Sequence, residues 1–244
     1  MISVILNVYK RPYMLEKQIQ AIKNQSIPIK SENIHVWYNI SDVEQFLPQD
    51  EKINTYECSW NTKFWGRYTL PLLMKTPYIA IFDDDIVPQK DWFKNCLDTI
   101  NKPESNGILG GIGVILHNKG YIPNNKIGWN ALHSNKTEQV DLVGHATFFR
   151  QEWSKYIWYE PPYTWDNGED IMFSYLAQKY GGVNTFVPPH PENNKDLWSS
   201  DLKIGNEVGM DENASWRIAN HLELRNEVCV HCINNGWKVV RNIK

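Results

Sequence analysis

The chain lacks any apolar run that approaches the ~18 residues a membrane-spanning helix needs. It also lacks a secretory leader pattern, because "MISVILNVY" passes straight into a strand-like run with no charged region before it. Excess positive charge is missing too. The net charge is −3, which argues against nucleic acid as the main partner. Cysteine is scarce and scattered: Cys58, Cys96, Cys229 and Cys232, with a single C-x-x-C in "EVCVHCINN". One such pair without a second is weak ground for zinc, so Cys229 and Cys232 are expected to pack on a helix face. Glycine is absent from "LNVYKRPYM", where a phosphate-cradling loop would need it. These absences leave a protein of the reducing cytosol, or a catalytic domain cut from something longer.

What is present is ordinary for a globular chain: 42% apolar and 22% charged residues. A chain of 244 residues can bury about 70–75% of its unfolded surface without staples. The 11 tryptophans are numerous enough to serve both as core and as flat surfaces that stack on sugar or nucleotide rings.

The first half alternates strand and helix patterns. "ISVILNV" (2–8), "NIHVWYN" (33–39), a strand within "DEKINTYEC" and "YIAIF" (78–82) are short apolar runs, as buried strands are. "MLEKQIQAIKNQ", "GRYTLPLLMKT" and "QKDWFKNCLDTI" carry helical spacing, with Pro71 tolerated in a first turn. This order predicts an α/β fold with a mostly parallel sheet flanked by helices. In the second half, 107–116 and 140–150 read as strands and 168–182 as a helix closed by a double glycine. Residues 190–213 read as a long polar loop and 214–236 as a final helix. No linker separates independent domains. A single domain is expected, with a nucleotide-binding half (1–88) and an acceptor-binding half (89–244).

"YIAIFDDDIVP" (78–88) ends an apolar run in three aspartates. In an open parallel sheet, ligands bind beyond the carboxyl ends of the strands. In an extended chain Asp83 and Asp85 point the same way. Two carboxylates aimed into one crevice suit Mn2+ or Mg2+, which completes its octahedron with water and phosphate oxygens.

The stretch resembles the D-x-D motif of GT-A glycosyltransferases, and the resemblance runs in order along residues 2–235. "VILNVYKRPYMLEKQIQAI" is similar to their opening strand, turn and helix. Asn39 in "VWYN" falls on a nucleotide-contacting asparagine, and "NTKFWGRYTLP" precedes the D-x-D with Lys63 and Arg67 four apart. "VGHATFF" resembles the strand after the acceptor region, and "NGEDIMFSYLAQKYGG" resembles the motif that opens the catalytic helix. The order N…K/R-x-x-x-R…DDD…G-x-x-x-F-F…(D/E)-D-I resembles most the exostosin-like domain of glycosyltransferase family 64. Its E-D element is similar to family 2.

The resemblance implies a metal-dependent transferase that moves a sugar from a nucleotide sugar, expected to be a UDP-sugar, to a glycan or other hydroxyl acceptor. It places Asp83 at the ribose or donor sugar, Asp85 as main metal ligand with Asp83, and Asp84 near the donor. It gives Asn39, Lys63, Arg67 and Arg217 to the nucleotide and diphosphate and His190 to the metal as a third ligand, while Arg11, following the first strand at the mouth of the crevice, can hold a base carbonyl or a phosphate through its fork of donors. Asp170 is the expected general base, in a helical first turn where the dipole favours negative charge, with Glu169 as alternative. The family 2-like "GED" favours inversion over retention. His145 is a candidate to line the acceptor pocket, and Trp129, Trp165 and Trp198 fall in loops where a ring could stack on a sugar. Two other readings stay open: a nucleotidyltransferase acting on a sugar phosphate, and a sugar-binding module without catalysis.

Overall fold

In the computed structural model, residues 1–117 and 120–242 are described. An eight-stranded sheet has the order β3-β2-β1-β4-β10-β5-β11-β8. Its first four strands are β1 (Ile2–Val8), β2 (Ile34–Tyr38), β3 (Asn54–Glu57) and β4 (Tyr78–Phe82), all mutually parallel. β5 (Ile108–Leu109) and β11 (Thr185–Val187) run the same way, while β8 (Glu138–Val140) and β10 (Ala146–Arg150) are antiparallel to their neighbours. A second, antiparallel sheet has the order β7-β6-β9 and comprises β6 (Ile112–Leu116), β7 (Asn124–Gly128) and β9 (Leu142–Gly144).

β1 and β4 are sealed on both faces: Val4, Ile5, Leu6, Ile79, Ala80 and Phe82 are buried, as expected of parallel strands covered on both sides. Helix α1 (Leu15–Lys23) lays Leu15, Ile19 and Ile22 on the core, and α2 (Trp92–Ile100) buries Trp92, Phe93 and Cys96. Helix α3 (Glu169–Gly181) is closed by Gly182 at φ 63°, a left-handed cap that costs glycine little. It packs on α5 (His221–Asn234), where Cys229 and Cys232 are buried. A short α4 (Leu202–Val208) lies between them in sequence.

Four expectations change. Residues 107–116 and 140–150 are not single strands. Each breaks and passes between the two sheets, the first at Gly110–Gly111 and the second at Asp141 and again at His145. A Cβ at Gly110 would lie 2.4 Å from Val143 Cβ, and one at Gly111 would lie 2.2 Å from Ser199 Oγ, so only glycine permits that crossing. His145 adopts φ 69°, uncommon for a residue with a side chain. The helix expected over "GRYTLPLLMKT" is two 3-10 segments, Gly66–Tyr68 and Leu70–Leu73, consistent with the amide that Pro71 lacks. The expected loop 190–213 contains α4, and the last helix begins at His221 rather than near 214.

Candidate active site

The aspartates follow β4, but they form a turn rather than an extended end. Ile86 N–H donates to Asp83 O at 3.2 Å, and Asp83 N–H donates to His145 O at 3.2 Å. Gln18, on the buried face of α1, donates Nε2 to both Asp83 O and Ile86 O at 2.7 Å. A pinned turn, not strand alternation, therefore sets Asp83 and Asp85, and all three carboxylates line one cleft of about 720 Å³. Asp84 accepts from Arg11 Nη1 at 2.6 Å, whereas Asp85 Oδ2 is 3.6 Å from the same nitrogen, beyond hydrogen-bond reach. Burial above all pushes Asp84 up to about 6, despite its guanidinium. Asp85 is also raised, by burial and then by the charge of Asp83.

The basic residues sit in the cleft with different duties from those expected. Arg11 is buried, and its Nε and Nη2 donate to Asp211 at 2.9 and 2.7 Å. Its fork is spent on carboxylates, because a desolvated guanidinium needs charged partners, and it offers no free edge to a base or phosphate. Asn39 is buried and equally occupied. Its Oδ1 accepts from Thr62 N and Oγ1 at 2.9 and 3.0 Å, and its Nδ2 donates to Asn61 Oδ1 and Lys63 O at 2.7 and 3.2 Å. It therefore shapes the 61–63 loop. Lys63 and Arg67 do not share a helical face, since Lys63 is at φ 53° ahead of the 3-10 turn. Both line the cleft. Lys63 Nζ is 3.4 Å from Asp166, at the surface. Arg67 is buried between Asp83 Oδ1 and Glu169 Oε1, the latter at 3.3 Å.

Across the cleft, Gly168 at φ 83° starts α3. Asp170, in its first turn, receives a bidentate pair from Arg225: Nη1 to Oδ1 at 3.0 Å and Nη2 to Oδ2 at 2.7 Å. Arg225 also donates to Asn167 Oδ1 at 3.1 Å and lies 4.6 Å from the centre of the Tyr121 ring. Asn167 Nδ2 and His221 Nδ1 pair at 2.9 Å. Burial, then Arg225, pushes His221 down to about 4, so the ring is neutral at pH 7. Glu169 is buried, with Oε2 unpartnered among the described residues. Burial and the charge of Asp170 push it up to about 7.

His190, Trp198 and Arg217 are not brought to this cleft. His190 is buried in a stack, 4.7 Å from the Trp198 ring and 5.2 Å from His133. Its backbone N–H is tied to Ser134 O at 2.7 Å. It lies outside the cleft lining, which removes it as a third metal ligand; Trp198 shares its stack and is buried. Arg217 points along the surface, with its guanidinium 4.6 Å from the Trp216 ring and Nη2 donating to Met210 O at 2.9 Å. His145 and Trp129 do line the cleft, their rings 4.6 Å apart. Sequence reasoning missed Gln18, Asp211, Asn167, His221 and Arg225. Their partners are distant in sequence, so no local motif signals them.

Among the described residues no group of three or more His, Cys, Asp or Glu side chains is placed to hold a metal alone. Asp83 and Asp85 still fit a hard cation that takes one or two carboxylates and completes its shell with phosphate and water. Asp85 lines the cleft with the Arg11 guanidinium 3.6 Å away but not hydrogen-bonded to it, and burial and then the charge of Asp83 raise its proton affinity, as expected of two carboxylates sharing a space. No helix among the described residues is long and apolar enough to cross a membrane.

The family model "Glycosyl transferase family 2" matches residues 3–158. No curated protein matches the chain. Among solved structures, the mannosyltransferase PcManGT from Pyrobaculum calidifontis, in complex with GDP-Man and Mn2+, is similar over 100% of this chain and 66% of that one, with TM-score 0.61 and 16% identity. S. aureus TarS 1-349 is similar over 77% of this chain and 60% of its own, with TM-score 0.50 and 14% identity. The chain thus spans less than two thirds of either. At these identities the likeness is one of fold.

Proposed function

The chain belongs to glycosyl transferase family 2, and from that premise we propose that it moves a sugar from a nucleotide sugar to a hydroxyl of a glycan or other acceptor, with inversion. One observation carries the reading: the aspartate turn and the Asp170 carboxylate face the same cleft beyond the carboxyl ends of parallel strands. The exostosin-like motif order then reflects a site layout common to GT-A enzymes, and the family placement is family 2.

A divalent cation held by Asp83 and Asp85 would stabilise the leaving diphosphate. Lys63, exposed at the cleft, and Arg67, behind Asp83, add positive potential where that charge develops. Asp170 receives the acceptor proton on a carboxylate oxygen, and the Arg225 fork holds it in one orientation. Such a base suffices when the attacking hydroxyl becomes acidic only as the new bond forms. Glu169 is buried against Arg67, whereas the Asp170 side chain is 14% exposed at the cleft, which favours Asp170 over it as the base. Asp84, locked to Arg11, shapes the turn. On this reading most nucleotide contacts come from residues 1–88 and most acceptor contacts from 89–244, with both halves lining the cleft.

The test is a release assay over UDP- and GDP-sugars with Mn2+, followed by NMR of the anomeric proton in the product. Turnover with inverted configuration, lowered by about 10²-fold or more in Asp170→Asn with nucleotide binding intact, supports the proposal. Unchanged turnover in that variant removes Asp170 as base. Pyrophosphate release from a nucleoside triphosphate and a sugar phosphate would replace the reading with nucleotidyl transfer.

A further inference from the structure

Two large side chains at the mouth of the cleft are unexplained by the roles above. Trp60 is 55% exposed and Trp165 is 47% exposed, whereas Trp65 beside them is fully buried. They come from loops far apart in sequence, yet their rings meet edge to face, 6.0 Å apart at 68°. Trp165 is braced from behind by Trp65, 5.8 Å away at 62°, and Trp65 rests against Trp158 at 6.1 Å. The two loops are also joined by Lys63 and Asp166, 3.4 Å apart. This aromatic surface is held rigid from below and open above. An isolated exposed tryptophan would need no explanation; a braced pair beside a polar cleft does.

The position narrows its use. Asn61 and Asp166, the chain neighbours of the two tryptophans, line the cleft. The Trp165 loop runs directly into Gly168 and the α3 turn that carries Asp170. A ring resting on Trp165 is therefore on the side where the acceptor hydroxyl must meet its base. Indole faces carry negative quadrupole density, and the axial C–H groups of a pyranose offer a complementary apolar, weakly positive face.

We propose that Trp60 and Trp165 form a stacking platform for a pyranose ring of a saccharide acceptor, so that the acceptor class is an oligosaccharide rather than a small alcohol. The assignment of this ring to the acceptor rests on the glycosyl-transfer reading. The platform's affinity for saccharide can be measured without turnover.

The experiment titrates cellopentaose, chitopentaose and mannopentaose into the protein, read by tryptophan fluorescence and calorimetry. Trp60→Ala, Trp165→Ala and Trp165→Phe are compared, with UDP and GDP plus Mn2+ titrated in parallel. Because both side chains are half exposed, thermal melts close to the parent's are expected. Should Trp165→Ala melt early, Trp60→Ala and Trp165→Phe carry the comparison. The expected result is binding of at least one saccharide, weakened about tenfold by each alanine, equivalent to about 1.4 kcal/mol, and less by phenylalanine. Nucleotide affinity stays within about twofold. Saccharide affinity untouched by the variants, or no saccharide binding, overturns the platform. Loss of nucleotide affinity in the alanine variants overturns it differently, by giving the rings to the base. A parent protein that binds saccharide through these rings but no nucleotide removes the glycosyl-transfer reading and leaves the platform standing.

Discussion

Replacing Arg225 by methionine keeps much of the side chain's length and removes its charge. In the parent, the guanidinium is buried, doubly bonded to Asp170 and singly to Asn167. Its removal leaves the Asp170 carboxylate without its cation, and breaking a buried pair from one side costs about 3–5 kcal/mol. The cleft lets water reach Asp170, whose side chain is 14% exposed, so the lower end applies, about 3 kcal/mol. Asp170→Asn in the same background removes the stranded charge, and the double variant should recover about 1–2 kcal/mol relative to additivity. Urea unfolding of the parent, both single variants and the double variant at pH 7.5 measures the cycle. A loss below about 0.5 kcal/mol for Arg225→Met, the size of an ordinary surface change, would refute the claim that this buried pair holds the Asp170 side of the cleft. Strict additivity would refute it too.

Gly168→Ala should destabilise the start of α3. The position is at φ 83°, and a new Cβ would lie 2.9 Å from Val228 Cγ2. Left-handed strain and crowding together predict a loss of about 2 kcal/mol or more, read in the same urea assay. His35, His190 and His221 are each pushed down to about 4, mainly by burial. Their folded values lie below the unfolded one, so their contribution is full above about pH 6.5 and is lost as pH falls toward 4. Proton NMR should show these three rings neutral at pH 6, and His190→Gln should flatten the fall in stability between pH 7 and 5. Three rings titrating near 6.5 would contradict their burial.

Much of the N-terminal third was legible. β1 and β4 have the expected limits, 2–8 and 78–82, because continuous apolar runs in a parallel sheet leave little choice of boundary. The acidic turn was legible as a site, but its shape was not, since Gln18 and His145 O define it from elsewhere in the chain. The broken strands escaped because a switch between sheets leaves only weak traces: a glycine pair at 110–111, and nothing at His145. Strands β7 and β8 are polar and short, with no alternation to read. The helix α4 did leave a signal, Asp201 as a cap that accepts from Lys203 N and Ile204 N. Motif matching placed Asp170 and Asp85 in the cleft. It misplaced His190 and Arg217, whose positions depend on how the C-terminal third packs.

The central claim is that the turn after β4 binds a nucleotide diphosphate through a divalent cation. Calorimetry of UDP and GDP, with Mn2+ and with EDTA, on the parent and on Asp85→Ala tests it most directly. The account predicts binding of at least one nucleotide by the parent with Mn2+, and loss of that binding in EDTA and in the variant. Equal binding with and without metal, or an Asp85→Ala protein that binds as the parent does, would contradict it.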